Sequence, residues 1–221
     1  DIDETREMID YYFSAIPDKP KPEKIFPVEP DITQETRVQE YDPNIQIPAI
    51  LLNYRTPPMQ SREARVLDLI STYLSTGKSS KLYKKLVDEQ KIALEVQAVS
   101  LPLEEYGIYA ILALPLGDTP LDQLKTEIDE EIVALKSDLI SEKDYQKLQN
   151  IYENNFVNSN ASIQGVATSL SQYYLFYNDT NLINSSIEIY KSITREEIRD
   201  VASKYLNDNQ RVVMDYLPEN K

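Results

Sequence analysis

The chain has 221 residues, 41% of them hydrophobic and 27% charged, enough apolar material for one sizeable core and too much for disorder throughout. It contains no histidine, cysteine or tryptophan, which removes the usual zinc ligands, the Ser-His and Cys-His nucleophile pairs, and disulfides. A net charge of −14 with a pI near 4.5 disfavours nucleic acid and anionic membrane surfaces as partners, since both call for a basic footprint.

Residues 1 to 16 read as a short amphipathic helix, with Ile2, Met8, Ile9, Tyr12 and Phe13 at helical spacing and the acids Asp1, Asp3 and Glu4 at the positive end of the dipole. Five of the 13 prolines come next within fourteen residues: Pro17, Pro20, Pro22, Pro27 and Pro30. That density blocks helix and central strand, so residues 17 to 34 read as an extended spacer. A lone helix cannot bury its own apolar face. It either packs on the domain after the spacer or completes a preceding one. The opening Asp1-Ile2-Asp3, without an initiator methionine, leads us to expect a piece of something longer.

Beyond the spacer, residues 35 to 41 and 46 to 54 read as strands. The second is almost continuously apolar from Ile47 to Leu52, which predicts burial on both faces. Pro48 places its start at an edge or just before the ladder. Residues 60 to 75 predict a helix with Ala64, Leu67, Ile70 and Leu74 inward, and 79 to 89 a second with Leu82 and Leu86 inward. Residues 92 to 101 and 106 to 115 predict an antiparallel hairpin.

A helix is expected from Pro120 to Lys136, with Thr119 as N-cap and Leu121, Leu124, Ile128, Ile132 and Leu135 as its stripe. Another starts at Ser141 with a spacing like a capping box. Helices at 161 to 177 and 182 to 189 come after it, then one from the capping box Thr194-Arg195-Glu196-Glu197 to Leu206, and a closing strand at 210 to 217. Hairpins without βαβ alternation predict an α+β domain: a mostly antiparallel sheet of about five to six strands with helices on one face. With only four glycines there is no phosphate loop or dinucleotide fingerprint.

Three features invite a functional reading. Residues 104 to 144 hold 11 acids against 3 bases, and Glu127 with Glu131, or Asp129 with Glu130, has the chemistry of a cation or acid-base pair. Their place opposite the leucine stripe favours a solvated face instead. Lys78, Lys81, Lys84, Lys85 and Lys91 form a local basic patch that either docks an acidic partner or faces water. Tyr145, Tyr152, Tyr173, Tyr174, Tyr177 and Tyr190 suggest either a stacking platform for bases or sugars or, as helical spacing favours, the rim of a core. Short N-x-S/T triplets at Asn160, Asn178 and Asn184 are as expected by chance.

One stretch carries a family resemblance. Thr76-Gly77-Lys78-Ser79-Ser80-Lys81-Leu82-Tyr83, followed by Leu86-Val87-Asp88-Glu89-Gln90-Lys91-Ile92-Ala93-Leu94-Glu95-Val96, resembles the Gly-x-Ser-Ser-Arg-Leu-Tyr and Leu-Arg-x-x-x-Gly-Leu-Ala-Tyr-x-Val segments of the insulinase-pitrilysin zinc peptidases, family M16. The opening through Tyr12-Phe13-Ser14-Ala15-Ile16-Pro17 and the glycine at 107 are similar to the family as well.

The resemblance implies two similar α+β domains per subunit, the first carrying zinc on an inverted His-x-x-Glu-His motif, the second metal-free and enclosing the peptide in a chamber. It would make residues 1 to 16 the end of a missing N-terminal domain, 17 to 34 the linker, and 35 to 221 a C-terminal domain that is not itself catalytic. No zinc is then expected here; the metal belongs to the missing domain. Many members also supply a substrate-contacting Arg and Tyr from this domain. Val87 and Leu94 stand at those positions, and neither side chain can donate a hydrogen bond to a peptide carbonyl or oxyanion. The implied partners are a peptide substrate bound by the full-length protein, the zinc domain, and a subunit carrying the Arg-Tyr pair. The resemblance equally admits a structural or assembly domain of a subunit without proteolysis.

Overall fold

The computed structural model describes residues 1–20, 22, 23, 25 and 30–219. Part of the proline-rich spacer, Pro27 included, lies outside these residues. The chain forms two compact units, Asp1–Pro30 and Asp31–Lys221. The first contains helix α1 (Ile2–Phe13), whose N-cap Asp1 accepts the backbone N–H groups of Asp3 and Glu4. None of its residues is buried, since the unit's described residues form no second element to cover the apolar stripe.

The second unit is built on a five-stranded sheet in the order β1-β5-β2-β4-β3, with β1 Thr36–Asp42, β2 Ala49–Thr56, β3 Ala93–Leu101, β4 Gly107–Pro115 and β5 Arg211–Pro218. Only β1 with β5 is parallel; the other pairs are antiparallel. The helices are α2 (Arg62–Ser75), α3 (Leu121–Ser137), α4 (Glu142–Ser159), α5 (Ile163–Gln172), α6 (Leu182–Lys191) and α7 (Arg195–Tyr205). This is the expected α+β architecture with a mostly antiparallel sheet.

Alternation along the strands sorts side chains to two faces. Ile50, Leu52 and Tyr54 of β2, Tyr109, Ile111 and Ala113 of β4, and Val213 of β5 are at most 1% exposed and share one face. Leu67, Ile70 and Leu74 of α2, Leu124 and Ile128 of α3, and Ile198 of α7 complete this core with exposures of zero. The intervening side chains of β2, Leu51, Asn53 and Arg55, are only partly buried. Burial of β2 on both faces is therefore corrected to one face. Its apolar run came from a core row plus a second apolar row that no described helix of the second unit covers.

Pro48 sits just ahead of the ladder, as its missing N–H requires. Helix 79 to 89 is corrected to a π-helical turn, Tyr83–Glu89, that still buries Leu82 and Leu86 fully. The helix expected over 161 to 177 ends at Gln172 and continues as a π-helical turn, Tyr173–Tyr177, closed by Asn178 in the left-handed region at φ 52°. Thr119 does not cap α3: Pro120 occupies the cap position without a side-chain bond, and the Thr119 hydroxyl donates to Leu116 O at 2.8 Å. Ser141 caps α4 through the N–H of Asp144, but the Asp144 carboxylate accepts the Ser141 hydroxyl rather than reaching back to the cap N–H, since Asp is one methylene short. The Thr194–Glu197 box on α7 is complete in both directions.

Candidate functional site

The resemblance pointed to Val87 and Leu94. Val87 lies in the turn Tyr83–Glu89, half-buried and packed against the core. Leu94 lies where the β3–β4 register shifts between Ala93 and Glu95. Such a bulge turns two successive side chains outward, and Leu94 is 45% exposed. Between them Lys91 holds φ at 54°, the left-handed region that glycine enters most readily. The Ile92 N–H donates to Leu86 O at 2.9 Å, tying the turn to the start of the strand. The two positions thus occupy one short connection, but Val87 faces the core and Leu94 faces solvent. Both are hydrocarbon.

The uncovered face of the sheet is the larger feature. The pairing sets Leu112, Leu51 and Met214 side by side across β4, β2 and β5, flanked by Gln97 of β3 and Val38 of β1. Leu51, Leu112 and Met214, with Ile47, Leu114 and Tyr216, line a shallow cleft of about 390 Å³. Its lining is hydrocarbon but for the Tyr216 hydroxyl, which donates to the Asp42 carboxylate.

The acidic stretch does not face water alone, which corrects the solvated reading. Lys85 Nζ lies 3.0, 2.9 and 3.4 Å from carboxylate oxygens of Glu127, Glu130 and Glu131. Asp129 is held by Arg211, whose side chain is 1% exposed, through contacts of 2.5 and 2.8 Å. Arg211 also meets Glu35 at 2.7 Å and donates to Tyr54 Oη at 2.9 Å. Opposing charges hold both groups above their ordinary pKa: Lys85 is raised by its carboxylates against the cost of burial, and Arg211 chiefly by Asp129 and Tyr54, again against burial. Within the lysine patch, Lys81 also pairs with Asp144 at 3.1 Å and Lys84 with Glu89 at 3.4 Å. Nothing in sequence spacing pointed to Arg211. Its partners Glu35, Tyr54 and Asp129 lie far away along the chain and meet it only in the folded domain.

Of the tyrosines, Tyr145 donates to Ile193 O at 2.7 Å, Tyr152 stacks on Tyr190, and Tyr174 is 66% exposed. Among the described residues no three acidic, histidine or cysteine side chains are grouped to hold a metal. With no histidine in the sequence, these residues do not fit a zinc site of the His-x-x-Glu-His kind.

A family model described as the peptidase M16 inactive domain matches residues 1–152. The chain belongs to this family. A curated relative of this M16 inactive domain, the zinc protease PqqE of Helicobacter pylori, is 25% identical over 161 residues, covering 73% of the chain and 36% of the relative. Two solved structures share its fold. A protease from Helicobacter pylori superposes with a TM-score of 0.86 at 21% identity, covering 99% of this chain and 53% of that one. A peptidase M16 inactive domain from Pseudomonas fluorescens superposes with a TM-score of 0.80 at 15% identity, covering 100% and 52%. This M16 inactive domain thus spans about half the length of those solved chains.

Proposed function

We propose that this chain is the non-catalytic wall of a peptidase chamber, its open sheet face turned toward a zinc-bearing domain that lies outside these 221 residues. The observation that carries the reading is the one-sided sheet. All the core-forming helices pack on one face, while the other presents a central apolar band with no catalytic group. Such a band is suited to enclosing an extended peptide without hydrolysing it, and the zinc and its chemistry belong to the facing domain. Val87 and Leu94 offer no donor to the substrate, so the Arg-Tyr pair comes from a partner subunit.

The test mixes the separately prepared zinc-bearing half with this chain and follows cleavage of a quenched fluorescent peptide. The chain alone is expected to cleave nothing, and its addition to raise the rate of the zinc half about tenfold or more. An unchanged rate, with the two halves shown to associate, sinks the chamber reading.

The same pair of hydrocarbon side chains supports a second reading, in which the domain serves assembly in a subunit that has lost proteolysis. An intact His-x-x-Glu-His in the adjoining sequence favours the peptidase; a degenerate one favours assembly.

A further inference from the structure

On the helical side, remote from the open sheet face, α2, α4, α6 and the turn Tyr173–Tyr177 line a cavity of about 260 Å³. Its aromatic walls are held in place from behind. Tyr152 and Tyr190 stack with ring centroids 3.4 Å apart and planes at 12°. The Tyr177 hydroxyl donates to Met59 O at 3.1 Å, and Tyr173 shares a 3.0 Å hydrogen bond with Ser186. The shape is therefore set before anything enters.

Two opposite charges line the same space. Arg65 and Asp68 lie one turn apart on α2, a spacing at which an acid and a base ordinarily pair. Here they do not. Asp68 accepts the Tyr190 hydroxyl at 3.2 Å and, among the described residues, has no ion pair. Arg65 lies over the Tyr177 ring at 5.8 Å and likewise meets no carboxylate among the described residues. A carboxylate withdrawn from water without a cation costs stability, and burial holds the Asp68 pKa above its ordinary value. A carboxylate so placed, lining a cavity and without a cation, is a candidate for binding a ligand.

We propose that this cavity binds a small zwitterion of the α-amino-acid type, its ammonium on Asp68, its carboxylate on the Arg65 fork, and its side chain against the tyrosines. Ammonium to carboxylate and guanidinium to carboxylate are the strong, charge-assisted pairings, and tyrosine faces favour an adjacent ammonium. The volume lies below the ~300–1,000 Å³ of pockets for drug-sized ligands, which fits a compact ligand. An amine without a carboxylate leaves Arg65 unanswered; an acid without an amine leaves Asp68 so. The proposal does not depend on the chamber reading.

Titration calorimetry on the chain with L-phenylalanine, phenethylamine and 3-phenylpropionate tests it. L-phenylalanine is expected to saturate, and each half-analogue to bind about tenfold more weakly or worse, ~1.4 kcal/mol. Asp68→Asn and Arg65→Met are each expected to weaken L-phenylalanine by a similar factor, with Arg65→Lys restoring part. No saturable heat with L-phenylalanine, equal binding of phenethylamine, or unchanged binding to a folded Asp68→Asn protein would each overturn the proposal. The analogue comparison on the unaltered chain decides even where a variant fails to fold.

Discussion

The guanidinium of Arg211 holds the carboxylate of Asp129 through two contacts of 2.5 and 2.8 Å, joining the first residue of β5 to the middle of α3. Arg211 is 1% exposed and also engages Glu35 and Tyr54, so one cation ties strand, helix and the approach to β1. Asp129 and Glu35 are partly exposed and each also meets Lys125 Nζ at 3.3 Å, so the loss of Arg211 removes hydrogen bonds to charged groups without stranding a carboxylate. Arg211→Ala is expected to lower the unfolding free energy by about 1–3 kcal/mol, measured by urea denaturation. The double variant Arg211→Met, Asp129→Leu should recover part of that loss, because hydrocarbon then fills the space of the pair. A single variant as stable as the parent would show that the pair contributes nothing.

Lys91 adopts φ 54°, and the resembling family segment has glycine at its position. The left-handed conformation costs a residue with a Cβ about 1–2 kcal/mol, while glycine gives back about 0.5–1 in unfolded-state entropy. Lys91→Gly is therefore expected to stabilise the chain by about 0.5 kcal/mol, read as a higher urea midpoint at an unchanged slope.

Gly107 makes the opposite case. A Cβ there would lie 2.4 Å from Thr56 Oγ1 and 3.1 Å from Leu101 O, and Thr56 is buried. Gly107→Ala is expected to cost about 1–3 kcal/mol through overpacking at the mouth of the hairpin. A neutral outcome would mean that the Thr56 hydroxyl rotates aside freely.

Neighbouring positions on β4 test the one-sidedness of the sheet. Ile111 is fully buried, whereas Leu112 is partly exposed on the open face. Ile111→Asp should abolish cooperative unfolding, since it places an unpaired carboxylate in the core. Leu112→Asp should lower stability by about 1 kcal/mol and, under the proposed function, suppress stimulation of the zinc half. Equal damage at both positions would contradict an open face.

Acid should destabilise the fold through identifiable groups. Glu127 is held below its ordinary 4.5 by a hydrogen bond from Gln90 and by the Lys85 ammonium. Glu197 is held below the same value by Arg62, with a further hydrogen bond from the Thr194 N–H. A carboxylate with a depressed folded-state pKa contributes stability that is present above its unfolded value and lost as pH falls through the folded one. Stability should therefore decline below about pH 4.5, and Glu127→Gln with Glu197→Gln should flatten that decline. Asp68 has the opposite sign. Its raised pKa makes its contribution greatest below its unfolded value of 3.8 and smaller as pH rises, so Asp68→Asn should stabilise the chain at neutral pH and gain nothing in acid.

Local chemistry carried much of the fold in the linear chain. The stripe Leu124, Ile128, Ile132 and Leu135 implied a helix with one buried face, Pro48 marked where β2 starts, and Thr194 with Glu197 announced α7, because each of these is decided by neighbours within a turn or two. Tertiary structure decided the rest. Within the second unit β2 has one open face because its described helices all pack on the other side, a count made over the whole sheet. Arg211 finds Asp129 across 82 positions, and Arg65 stays apart from Asp68 because tyrosines from two later elements stand around them. Periodicity reports which side of an element seeks cover; only the assembled molecule settles what covers it, and which charges are left waiting for a partner.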